Sequence, residues 1–240
     1  MVNVTLATYC HAPHLAKLHA PGVLKELVDS HAYHFSEVIV VHQRCKGITF
    51  RQISEVPHRV IFTEDYPDIL ASFGINPNNK EADYYTHGPT ASHFWVWHVL
   101  NHLCAAIECT TPYIVFSDCD CLIIQSGAWS WIEEGLKRLQ GDPVIWMISP
   151  NDGSDGRLTQ NVSQQLFMVE RERFLRVDFD LPWNGKFDAP GGPMQEYYFM
   201  LEGRIGRYLT ANGLYRHVLP MPWRYWHYNP WEPKGWKEGQ

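Results

Sequence analysis

Apolar positions along this chain fall into short β-branched runs separated by stretches with helical spacing. Residues 2–9, 37–42 and 59–63 are such runs and read as strands. Between the first two, Leu15, Leu18, Val23, Leu24, Leu27 and Val28 form a stripe that predicts a helix over 14–34, with Pro21-Gly22 dividing it. A short helix is expected over 68–73. A long one over 89–108 would turn Phe94, Trp97, Val99, Leu100, Leu103 and Ile107 inward. The stretch 113–124 carries a buried apolar strand ending in two carboxylates, Asp118 and Asp120, one residue apart. A helix over 129–139 follows, then strands over 144–148 and 164–169 and a short helix over 170–177. The glycine-bearing loop 178–193 leads into a helix over 194–211, which Asn212-Gly213 should cap. The tail 218–231 is rich in proline and aromatic residues.

This β-α alternation predicts an α/β fold: a mainly parallel central sheet with flanking helices, Rossmann-like, followed by a C-terminal elaboration. No repeat or linker interrupts it, and 240 residues suit a single domain. The carboxyl edge of such a sheet is where nucleotide-type ligands bind.

Charge and cysteine usage narrow the chemistry. The formal charge is −6 and no Lys/Arg cluster forms a basic face, so nucleic acid is not an expected partner. A phosphate ligand would need a cation, backbone amides or a few chosen side chains. Six cysteines show no CxxC pair, which reads as buried free thiols in a reducing compartment. With no secretory signal and no apolar run of membrane-spanning length, a cytoplasmic protein is expected.

Asp118-Cys119-Asp120 is the first candidate for chemistry. Alternate residues of an extended chain point the same way, so the two carboxylates can meet on one cation. Hard oxygen ligands suit Mn²⁺ or Mg²⁺. The plainer alternative is an acid pair in a turn. The second candidate is Gly191-Gly192-Pro193-Met194-Gln195-Glu196, a glycine-rich loop feeding an acid at a helix start. The plainer alternative there is a first-turn acid favoured by the helix dipole. The third is Pro222-Trp223-Arg224-Tyr225-Trp226-His227-Tyr228 in the tail, where a packed or surface histidine is the alternative.

In order of elements and in these motifs the chain resembles glycosyltransferases of the A-type fold, similar to family 2 glycosyltransferases. The resemblance implies a donor-binding half over 1–124 and an acceptor-side half over 125–240. It implies transfer from a nucleotide-diphosphate sugar, UDP-linked by expectation, to a hydroxyl acceptor with inversion. Asp118 would then touch the donor and Asp120 the cation, with His227 returning from the tail as a further ligand. Donor contacts would come from Thr8 and Tyr9 at the end of the first strand and from Asp65 after the third. Arg224 would pair with the diphosphate, for which its fork is suited. Glu196 would take the acceptor proton, with Asp188 in reserve. Two rival readings of function remain at this level, a sugar nucleotidyltransferase and a sugar- or nucleotide-binding module of the same fold without catalysis, and transfer with retention is the alternative to inversion.

Overall fold

The computed structural model describes residues 2–9, 18, 20–42, 55–75, 94–125, 130–151, 158–163, 165–181, 200–220 and 223–227, the backbone alone for 94–98, 125 and 223–227. The strands are β1 (Val4–Tyr9), β2 (Glu37–His42), β3 (Arg59–Phe62), β4 (Tyr113–Asp118), β5 (Cys121–Gln125), β6 (Ile145–Ser149), β7 (Leu158–Thr159), β8 (Leu166–Glu170), β9 (Tyr215–Val218) and β10 (Trp223–His227). The helices are α1 (Val23–Ser30), α2 (Ile69–Ser72), α3 (Phe94–Glu108), α4 (Trp131–Gly141), α5 (Arg171–Leu175) and α6 (Leu201–Asn212).

Eight strands form one sheet in the order β3-β2-β1-β4-β8-β6-β9-β7. From β3 to β4 every pairing is parallel. Beyond β4 the pattern changes. β8 runs antiparallel to both β4 and β6, β9 is parallel to β6, and β7 is antiparallel to β9. The sheet is therefore mixed, not mainly parallel as the sequence suggested. The physical reason is that an apolar run buried on both faces looks the same in either direction. Leu166 to Val169 are all buried, and nothing in their pattern tells that this strand is inserted in reverse between β4 and β6.

Both faces of the sheet are covered. On one, Ala7, Tyr9, Phe116 and Phe167 pack with Val99, Leu103 and Ala106 of α3 and with Leu201, Ile205 and Leu209 of α6. On the other, Leu6, Val40, Val115 and Met168 pack with Leu24 and Leu27 of α1 and Trp131 and Leu136 of α4. β1 is buried along its whole length for this reason. The inward stripe of α3 holds at Val99, Leu100 and Leu103, but Ile107 is 38% exposed. Phe94 and Trp97 lie where the backbone alone is described.

Helix ends follow the residues that favour them. Gly22, with φ of 84°, precedes α1, and Gly213, with φ of 64°, stops α6 where Asn212-Gly213 was expected to. Ser130 caps α4: its Oγ accepts from the Ile132 amide (3.2 Å) and donates to the His31 carbonyl (2.9 Å). The same joint holds the buried His31 ring, whose Nδ1 accepts from the Trp131 indole at 3.1 Å. Burial lowers the His31 pKa to about 3, so the ring is neutral. At the amino edge of the sheet Arg59 bridges Glu37 (2.9 Å) and Glu108. Burial pushes the Glu37 carboxyl up, but bonds from Thr110, Arg59 and Thr5 outweigh it and hold the pKa below the usual value.

The four described cysteines, Cys104, Cys109, Cys119 and Cys121, are free and buried, as expected. Among the described residues no helix is long and apolar enough to cross a membrane.

Candidate active site

The chain steps from β1 outward through β2 to β3, then crosses back to lay β4 on the other side of β1. A sheet whose connections diverge in this way leaves a crevice beyond the carboxyl ends of the two central strands. The residues at those two ends are Tyr9 and Asp118, which face each other in register.

Asp118 ends β4, and Cys119 and Asp120 form the turn into β5. The two carboxylates are therefore brought together by a turn, rather than by the alternation of one extended strand. Ligand atoms of Asp118, Asp120 and Cys121 all lie within 4.8 Å of one another. The Asp118 amide donates to the Gln165 carbonyl (2.7 Å) and the Cys119 amide to the Tyr9 carbonyl (3.2 Å), so backbone bonds to β1 and to the residue before β8 fix the turn. Both carboxylates are half-buried, while Cys121 is fully buried. Burial first, then the charges of Asp118 and Asp120, push the Cys121 thiol well above its ordinary pKa. The donor set is thus two accessible carboxylates beside a neutral thiol. Two carboxylate oxygens suit a hard cation with open positions for water or ligand oxygens.

Tyr9 is buried, and its phenol hydrogen-bonds the Asp118 carboxylate. Its oxygen also lies 2.8 Å from Nε2 of His102, on α3. Burial above all, then Asp118, raises the Tyr9 pKa well above 10, so the phenol keeps its proton. The charge of Glu202, in the first turn of α6, adds to this rise.

Other expected site residues distribute unevenly. Thr8 is fully buried, and among the described residues its Oγ1 has no hydrogen-bond partner. Asp65 is exposed in the 3₁₀ turn Thr63–Asp65 that follows β3. That is three strand spacings, roughly 14 Å, from β4 along the same carboxyl edge. The tail comes back as β10, antiparallel to β5, and its register sets His227 opposite Cys121 and Arg224 opposite Ile124. The backbone of His227 thus stands one residue along from Asp120. Glu196 and Asp188 lie outside the described residues.

Sequence reasoning passed over three members of this region: His102, Glu202 and β5 itself. A signal for His102 was present. It sits three residues after Val99 and one before Leu103, within the inward stripe of α3, where a polar residue has to be explained. Glu202 carried no mark, since the helix expected over 194–211 set it in mid-helix, where an acid is ordinary. Nothing local separates β5 from β4 in the run 113–124 except the polar turn between them.

No family model matches this sequence, and no curated protein sequence matches it. Among solved structures, the chain is similar to the crystal structure of mouse xyloside xylosyltransferase 1 in its apo form. The likeness has a TM-score of 0.44 and 11% identity, over 91% of this chain and 84% of that one.

Proposed function

We propose that this chain is a metal-dependent glycosyltransferase that moves a sugar from a nucleotide diphosphate, UDP by preference, to an acceptor hydroxyl. The observation that carries the reading is the convergence of Asp118 and Asp120 at the topological switch point, beyond the carboxyl ends of β1 and β4. Asp120 and Asp118 would hold Mn²⁺ or Mg²⁺. The return of β10 in register with β5 stands the backbone of His227 opposite Cys121 and supports it as a further ligand; Arg224, opposite Ile124, is kept as the diphosphate contact on the resemblance alone. When bound, the cation supplies Lewis-acid neutralisation of the departing diphosphate.

The remaining chemistry belongs to the chain. The half over 1–124 holds the donor. Tyr9 and Asp118 lie nearest the reacting end, and Thr8 and Asp65 on the nucleoside side. The half over 125–240 presents the acceptor and Glu196, with Asp188 in reserve. The acceptor oxygen forms a bond to the anomeric carbon while its proton passes to Glu196. The bond from that carbon to the diphosphate breaks, the electron pair leaves with the diphosphate, and the configuration inverts.

The test joins calorimetry to turnover. UDP binding is measured with and without Mn²⁺, and donor hydrolysis and transfer are assayed with a panel of nucleotide sugars. Metal-dependent binding with turnover, lost in Asp118→Ala and Asp120→Ala, is the expected result. Turnover that survives both substitutions refutes the reading. Metal-dependent binding without transfer to any acceptor would make the chain a binding module instead. Pyrophosphate release from a nucleoside triphosphate and a sugar phosphate would make it a nucleotidyltransferase.

A further inference from the structure

Behind Asp118 stands a layer of buried polar groups whose bonds to one another have no part in the reaction above. Tyr9 ends β1 beside Asp118, and His102 reaches it from α3. Both side chains are buried, with ring centroids 4.6 Å apart. His102 is wedged among aromatic rings, stacked on Phe167 at 5.7 Å with an interplanar angle of 3° and tilted against Phe116 at 4.7 Å. An apolar side chain at this place would pack against the same rings without the cost of desolvating an imidazole. What the imidazole adds is its bond to the Tyr9 hydroxyl. That hydroxyl has one hydrogen, and the adjoining carboxylate is an acceptor only, so the hydrogen goes to Asp118. The Tyr9 oxygen must then accept from His102, which requires the proton on Nε2.

We propose that Tyr9 and His102 are positioning residues for Asp118, acting through a directed chain from His102 Nε2–H to the Tyr9 hydroxyl to the Asp118 carboxylate. This rests on the cation site proposed above. The chain fixes the carboxylate oxygens on the side of the turn where Asp120 meets them. It also ties that orientation to α3 and to the aromatic layer over the sheet. Groups that orient a ligand in this way typically change metal affinity by about 10–100-fold when removed.

The experiment measures Mn²⁺ binding to the full chain by electron paramagnetic resonance, beside melting temperatures taken without metal. Tyr9→Phe keeps the ring and removes the hydroxyl, and is expected to weaken Mn²⁺ binding by about 10–100-fold. His102→Leu should weaken it in the same direction. His102→Gln, which can set an amide N–H near Nε2, should restore much of the affinity. A purely structural role would lower the melting temperatures and leave the Mn²⁺ affinity of the folded variants at the wild-type value, which overturns the inference. Asp118→Ala separates the two levels. If it loses Mn²⁺ while Tyr9→Phe binds normally, the cation site stands and the positioning role falls. If the wild type takes up no Mn²⁺, the cation site falls and takes this inference with it. A readout without metal is the imidazole ¹⁵N spectrum, with His102 assigned by its absence in His102→Gln. A proton on Nε2 is expected, and a proton on Nδ1 alone reverses the chain and overturns it.

Discussion

Titrating the joint between α1 and α4 gives a quantitative test of the packing beneath the site. His31 follows α1, buried, with its ring edge-on to Phe35 at 5.4 Å and its Nδ1 held by Trp131. Burial is the cause of its fall from 6.5 to about 3. The sign follows from proton counting. Between these two values the unfolded chain binds a proton at this residue and the folded chain does not, so stability is complete above about pH 6.5 and is lost as the pH falls towards 3. At pH 5 the gap from the unfolded value is about 1.5 pH units, which at about 1.36 kcal/mol per unit is about 2 kcal/mol. This figure depends on the unfolded value alone, since at pH 5 the folded ring is still neutral.

The comparison variant is His31→Asn, whose amide oxygen can stand near Nδ1 and accept from Trp131. Urea unfolding of both proteins, followed by tryptophan fluorescence at about pH 7.5 and about pH 5, yields the difference. Every other histidine contributes to both chains and cancels. Wild type should lose about 2 kcal/mol more than the variant across this interval. Equal losses would refute the account of a neutral buried imidazole. The joint matters to the site because Ser30, one residue earlier, accepts the Ile123 amide at 3.3 Å and so holds β5 against α1.

Three further outcomes are expected. Ala32 has φ of 46° just after α1, where a side chain is strained and glycine is not, so Ala32→Gly should raise stability in thermal melts by about 0.5–1 kcal/mol. A lower melting temperature would contradict this. Gly135 faces the sheet from α4, and an added Cβ would stand 2.5 Å from the Met168 methyl and 3.1 Å from Ile148 Cγ2. Gly135→Ala should therefore destabilise by about 1–3 kcal/mol in chemical denaturation, towards the lower end if the flexible methionine tip yields. Cys121→Ala should leave Mn²⁺ affinity close to wild type by calorimetry, since a hard cation prefers the two carboxylates to a neutral thiol. A tenfold loss would make the sulfur a ligand.

Much of the frame was legible in local pattern, and the reasons differ by element. β2 was read over 37–42 because a run of β-branched residues buried on both faces has few alternatives. The end of α6 was read from Asn212-Gly213 because a left-handed residue there needs glycine. The acid pair was visible because polar residues ending an apolar strand stand out. How it converges was not, because the strand stops at Asp118 and a turn supplies Asp120.

The sequence by itself determined β1 to β4, β6, β8 and the helices α1 to α6, the α/β class and the Asp118-Cys119-Asp120 pair, since each depends on periodicity or turn chemistry within a few residues. The tertiary structure decided what depends on distant partners. It reversed β8 between β4 and β6, and it set β10 against β5 a hundred residues away in the chain. It also brought His102 of α3 to the Tyr9 hydroxyl behind Asp118. Strand direction and buried hydrogen bonds are set by which surfaces meet, and residues 93 apart in sequence carry no local mark of a meeting fixed by the crossing of a helix over a sheet.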